Sequence, residues 1–313
     1  MATFKKETFR IKANQKPKRD RMEHELGEDF MEFKKDLEKR IINQAHVVFE
    51  DTQYVESLKQ ETRKFCQENN DFLEHIYKSA KKYDELLDRL NLVKEYDESR
   101  NAELSTGIIA LNGTSGVGQS FVMKYIQKEL EKNQIPFERI YLLGTREQRD
   151  NEGHKDPYIF VDKTRNGYEC IHTGKEYSDS DIYFEYESRP GANNAIVKDD
   201  ILKADSRLLY LETVIPTLIK MKNEPLSGFS PLDDKLKVAY LAADSGTEWV
   251  KRLVAREPHK LSDKKFLDKL VGRVDSSLAD MEIAAKEQIP TAVHVLDHGE
   301  ETAKKVLTAW NMN

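Results

Sequence analysis

The chain has 313 residues, 34% of them charged and 38% hydrophobic, with a formal charge of −6, which leaves room for two ordinary domains and a substantial core but gives no argument for nucleic acid as a partner. No apolar stretch approaches the roughly 18 residues that a membrane span needs, and the N-terminus lacks the apolar segment of a signal peptide. Cys66 and Cys170 show neither metal spacing nor a disulfide framework, so a reducing, cytoplasmic setting is expected.

Glycine and proline divide the chain near residue 100. Only Gly27 and Pro17 precede that point, while the other 13 glycines and 8 prolines follow it. Residues 1–27 form a basic stretch, with eight basic residues against two acidic ones in the first twenty-one, and are expected to be a solvated tail or a contact for an acidic partner. Residues 28–100 are expected to be a helical extension. Phe30, Phe33, Leu37 and Ile41 step by 3, 4 and 4, and Phe72, Ile76, Ala80, Tyr83, Leu87 and Leu90 step by 4, 4, 3, 4 and 3, which places each set on one helix face. Such stripes need cover. A hairpin packed on itself or on the next domain supplies it, and so does a protein partner or self-association through residues 28–95.

From 101 to 313 the pattern changes. Apolar runs at 108–111, 139–143, 208–211, 237–242 and 292–296 alternate with polar or amphipathic segments, as in a parallel sheet with helices on both faces. The first run enters "GTSGVGQS", which leads into an amphipathic helix starting near Ser120. Glycines at 113, 116 and 118 let successive backbone N–H groups turn inward, where they and the helix N-terminus bind phosphate. The pattern G-x-x-x-x-G-K-[ST] would put a lysine at 119, but the chain has Gln119, which keeps hydrogen-bond donors and loses the charge.

A second constellation follows the run at 139–143. "TREQRDNEGHKDPYIFVD" has the form T-R-x-x-R-x-x-E-x-x-x-x-x-Y-x-F-V, and with the Gly-rich loop it resembles the guanylate kinase family, over roughly residues 104 to 310. The resemblance implies an α/β fold of the P-loop NTPase type, a parallel sheet flanked by helices, with the helical extension added at the N-terminus. It assigns the ATP phosphates to Gly113, Ser115, Gly116, Gly118 and Ser120, with Ser120 also near Mg²⁺. Arg146, Arg149 and Tyr158 are assigned to the acceptor phosphate, two forked guanidinium groups and a hydroxyl closing three sides. "EWVKRLVAREP" is similar to the family's lid, so Arg252 and Arg256 would close over ATP, and "VGRVDSSLADM" adds Arg273. With Gln119 these arginines form the expected catalytic set.

The departures from the family are also informative. Glu185 keeps the position that meets the guanine edge, but Asn193, Asn194, Ala195 and Ile196 replace Y-Y-G-[ST], Leu142 replaces a serine, and Tyr210 and Glu212 replace two aspartates. The resemblance therefore implies an ATP- and Mg²⁺-dependent phosphotransferase acting on GMP, another nucleoside monophosphate or a similar phosphate ester, slowed by Gln119. Two alternatives stand beside it: an inactive relative that serves as a nucleotide- or phosphoprotein-binding scaffold through its helical N-terminus, and ribose-bisphosphate-type kinase chemistry on the same fold.

Overall fold

The computed structural model describes residues 16–94, 106–148, 152–153, 158–189, 191–296 and 298–311. Three helices come first, α1 (Lys16–Val48), α2 (Thr52–Glu68) and α3 (Asn70–Leu87), followed by β1 (Asn91–Leu92), β2 (Gly107–Gly113), α4 (Gln119–Lys132), β3 (Phe137–Ile140) and β4 (Leu143–Gly144). Then come β5 (Ile159–Thr164), β6 (Gly167–Cys170), β7 (Glu176–Ser178), β8 (Ile182–Arg189), β9 (Ala192–Val197) and α5 (Lys198–Leu202). The rest comprises β10 (Leu208–Leu211), α6 (Ile215–Asn223), β11 (Leu236–Ala243), α7 (Gly246–Ala255), α8 (Lys264–Lys286), β12 (Pro290–His294) and α9 (Gly299–Trp310). The chain divides into two compact units, Met1–Lys78 with Val254–Val271, and Ser79–Leu253 with Gly272–Asn313. No helix among the described residues is long and apolar enough to cross a membrane.

In the first unit α1 begins at Lys16, inside the basic stretch read from the sequence as a tail, and Gly27 interrupts it at φ 74°. Its stripe of Phe30, Phe33, Leu37, Ile41 and Ala45 is buried, each such side chain contributing roughly 1.5 to 3 kcal/mol for the larger residues. The stripe is covered within the chain. Tyr77 packs its ring 5.4 Å from Phe30 and 5.3 Å from Phe33, while Ala45 clusters with Val55 and Leu58 of α2. Lys34 lays its stem by this core and donates from Nζ to Asn70 Oδ1 at 2.8 Å. Asp51 caps α2 by accepting from the N–H groups of Gln53 and Tyr54, satisfying two of the orphan donors of its first turn.

The second unit is built on six parallel strands in the order β1-β12-β11-β2-β10-β3. Ile108 to Leu111 of β2 are buried on both faces, as a central parallel strand requires. α9 seals one face, its Trp310 Nε1 donating to the Ala110 carbonyl at 2.9 Å. A second, mixed sheet has the order β7-β6-β5-β4-β9-β8. The apolar run at 139–143 is therefore not one strand. Its first half is β3 of the parallel sheet and its end is β4 of the mixed sheet, so the chain changes sheets where the hydropathy stays constant.

The second half of α3 and β1 belong to this unit. Tyr83 accepts from the Ala243 N–H at 2.6 Å, donates to the Ala243 carbonyl at 3.3 Å, and stacks on Trp249 with ring centroids 4.7 Å apart. The approach is close because residue 246 is glycine: a Cβ there would lie 2.1 Å from the Ala80 carbonyl oxygen. Gly246→Ala should accordingly lower stability by about 3 kcal/mol through overpacking against backbone, read as a lower urea midpoint at unchanged m-value.

Candidate functional site

The Gly-rich loop joins β2 to α4 at the carboxyl edge of the parallel sheet. Gly116 (φ 79°) and Gly118 (φ 101°) adopt left-handed backbone that other residues enter at a cost, which explains their place in the sequence. Four loop N–H groups are turned to the protein: Gly113 donates to Asn112 Oδ1 (2.6 Å), Thr114 to the Leu241 carbonyl of β11 (3.3 Å), Ser115 to Ser277 Oγ of α8 (2.9 Å), and Val117 to the Thr114 carbonyl (3.1 Å). Trp249 Nε1 donates to the Ser115 carbonyl at 2.8 Å. The N–H groups of Gly116, Gly118, Gln119 and Ser120 have no acceptor among the described residues, leaving an electropositive cradle at the start of α4.

Gln119 is the first residue of α4. Its side-chain Nε2 donates to the Leu111 carbonyl, back toward the strand, so one donor that the sequence assigns to a ligand is already engaged by the protein. Tyr210, beside it on β10, is buried and burial raises its pKa, while its hydroxyl lacks a hydrogen-bond partner of good geometry. His294 adds a group that sequence reasoning missed. Its Nδ1 lies 3.0 Å from Thr302 Oγ1, and its Nε2 would lie 3.2 Å from a Cβ on Gly118. Trp249 and Ser277 were missed as well. The signal in each case is contact across 134 or 162 residues of sequence, which no local pattern contains.

The arginines expected on a lid separate in the structure. Arg252 lies on the α7 face that carries Trp249 and Leu253, both of which touch the loop, Leu253 Cδ1 being 3.3 Å from a Cβ position on Gly116. The Arg252 side chain is only 9% exposed, reaches Asp244 Oδ1 at 3.5 Å through Nη2, and buries Nε and Nη1 without partners. Arg256 falls in the other unit, exposed just beyond α7. Arg273 is half-buried on α8, one turn before the Ser277 that holds the loop, and so shares its helix face.

On the mixed sheet the expected acceptor residues also divide. Arg146 forks onto the Glu152 carboxylate at 2.7 and 2.5 Å and lies over the rings of Tyr158 (4.9 Å) and Phe160 (5.2 Å). Glu152 raises the Arg146 pKa and stands as a carboxylate where a phosphate would accept the same fork. Arg149 lies outside the described residues. Glu185 pairs with Lys163 at 2.5 Å; burial alone would raise its pKa, but the hydrogen bonds from Lys163 and Tyr168 hold it below the ordinary value. Glu212 is exposed and pairs with Arg139 at 2.9 Å. A group that the sequence did not single out instead links the sheets: Tyr186 Oη accepts from Thr213 Oγ1 at 2.6 Å and Asn194 Nδ2 at 3.1 Å, while Asn112, beside the loop, donates from Nδ2 to the Thr213 carbonyl at 2.6 Å.

A parallel sheet flanked by helices, with a Gly-rich turn between its central strand and the next helix, is the architecture of a P-loop α/β protein. No protein-family model matches the chain, and no curated protein matches it. Among solved structures it is similar to the guanylate kinase from Anaplasma phagocytophilum, at 12% identity and a TM-score of 0.39, over 65% of this chain and 84% of that one.

Asp280, one turn beyond Ser277 on α8, is partly buried near Tyr240, and burial pushes its carboxyl up from 3.8 to about 6. The folded value lies above the unfolded one, so the fold favours the protonated acid, and stability present at pH 3.8 is lost as the pH rises through about 6. Asp280→Asn should raise the melting temperature at pH 8, with a gain that shrinks toward pH 4, as followed by circular dichroism.

Proposed function

We propose that the chain is a nucleotide-binding phosphotransferase of guanylate-kinase type, slow in transfer, which carries a phosphoryl group from ATP to a nucleoside monophosphate or similar phosphate ester. The observation that carries this reading is Arg252. A buried guanidinium with two unpartnered nitrogens is a destabilising arrangement in an isolated protein, and beside a loop with open N–H groups its natural partner is a polyanion. The N–H groups of Gly116, Gly118, Gln119 and Ser120 receive the ATP phosphates, Arg252 and Arg273 neutralise them, and Arg146, Arg149 and Tyr158 grip the acceptor phosphate once Glu152 yields its fork. In such a transfer the protein mainly positions two anions and balances charge.

Among the described residues no group of three or more His, Cys, Asp or Glu forms a metal cage. Mg²⁺ carried on phosphate oxygens needs only one or two protein oxygens, and the exposed Ser120 at the start of α4 fits that role, the ion supplying positive charge at the transferring group. Two buried cysteines outside any disulfide support a reducing, cytoplasmic setting. A second reading, a scaffold that binds nucleotide or a phosphorylated partner without transfer, is favoured by the engagement of Gln119 with Leu111.

Arg252→Met should raise the melting temperature of the free protein while weakening ATP binding at least tenfold by calorimetry, because it removes a poorly paired buried charge that the ligand would satisfy. A loss of stability with unchanged ATP affinity would count against the assignment. Gln119→Lys should raise transfer to the preferred monophosphate by about tenfold or more, a part of the roughly 3 kcal/mol attached to one preorganised donor, as read in a coupled assay. ATP binding without transfer in both the native chain and this variant would put the scaffold reading first.

A further inference from the structure

The strands of the mixed sheet place their residues on two faces, and the hydrogen bonds show which face is which. Gly144 of β4 pairs with Asn194 of β9, and Asn194 with Tyr186 of β8. Residues opposite one another share a face, as the bond from Asn194 Nδ2 to Tyr186 Oη confirms. Phe160 pairs with Gly144, and the Tyr158 ring lies over Gly144, so the ring-stacked Arg146 belongs to this same face. The opposite face carries Leu143, Ala195, Val161 and Tyr168, which pack into the lobe's own core. Glu185 pairs in register with Ala195 and forms its ion pair with Lys163 beside Tyr168, which puts it on the rim of that core face.

We infer that the part of the acceptor beyond its phosphate is read by Tyr186, Asn194 and Thr213 and not by Glu185, so that the substrate is a phosphate monoester whose body presents an acceptor oxygen without guanine's paired N–H donors, rather than a guanine nucleotide. This rests on the proposed function, which places the acceptor phosphate at Arg146 and Tyr158. The groups gathered round the Tyr186 hydroxyl are uncharged. That oxygen receives hydrogen bonds from both Thr213 and Asn194, which leaves its own proton to donate outward. Burial raises the pKa of Tyr186 and keeps that proton in place. A ligand oxygen, whether a sugar hydroxyl or a pyrimidine carbonyl, accepts from it. Guanine brings, beside its O6 acceptor, an N1–H and an amino group that need acceptors such as a carboxylate, and with Glu185 on the other face these meet the Tyr186 hydroxyl and Asn194 Nδ2 as donor against donor.

The test is calorimetry on the full chain with GMP, UMP, ribose 5-phosphate and inorganic phosphate, in the native protein and in Tyr186→Phe, Thr213→Val and Glu185→Gln. UMP or ribose 5-phosphate should bind at least as tightly as GMP, and whichever of the two binds better names the source of the oxygen. Tyr186→Phe should weaken that ligand about tenfold while inorganic phosphate binds as before, and Glu185→Gln should change no affinity by more than about twofold. Thr213→Val carries the same expectation should Tyr186→Phe lose its cooperative melt. GMP binding tenfold more tightly than the other esters, with that preference lost in Glu185→Gln, overturns the inference and leaves the phosphotransferase reading standing. Failure of the native chain to bind any of the four overturns both.

Discussion

Position at the carboxyl edge of the parallel sheet depends on one contact, the Tyr83 hydroxyl held between the N–H and carbonyl of Ala243. The ends of parallel strands leave backbone groups that need partners, and here the last residue of β11 finds both in a single side chain from α3. The ring of Tyr83 then fixes Trp249, and Trp249 fixes the Ser115 carbonyl of the Gly-rich loop. Through this succession a helix far upstream in sequence sets where the loop lies and where α7 carries Arg252. α3 is thus not merely an appendage, since its second half is part of the unit that holds the Gly-rich loop.

Around that edge the polar groups are unequally satisfied. Gln119 is bonded to Leu111, Arg146 to Glu152, Glu185 to Lys163 and Glu212 to Arg139, so each has exchanged solvent for a protein partner. Arg252 keeps only the 3.5 Å contact to Asp244, its Nε and Nη1 being unpartnered, and the first N–H groups of α4 have no acceptor among the described residues. Buried groups left unsatisfied indicate where the fold gives up stability. Asp280, raised by burial, belongs to the same pattern of tolerated strain on the helix that grips the loop.

Much of this was legible in the sequence. The strands at 108–111, 208–211 and 237–242 announce themselves by uninterrupted apolar runs, and the loop by glycines that only a left-handed backbone requires. The stripe from Phe30 to Ile41 is buried as its spacing implies. What was not legible depends on distance or parity. Ser277, Trp249 and His294 reach the loop from remote elements, and nothing in their own neighbourhoods marks them. The run at 139–143 conceals a change of sheet because both sheets bury apolar residues. The ion partners of Arg146 and Glu185 were hidden too, since a motif records the residue a ligand needs and not the residue that holds it meanwhile.

The registration of β8 against β9 shifts between Ile182 and Phe184 before Glu185 pairs with Ala195 and Tyr186 with Asn194. Because side chains alternate across a strand, that one-residue irregularity decides whether an acid or a phenol shares the face of Arg146. A single-codon insertion or deletion there would exchange the two without altering either residue.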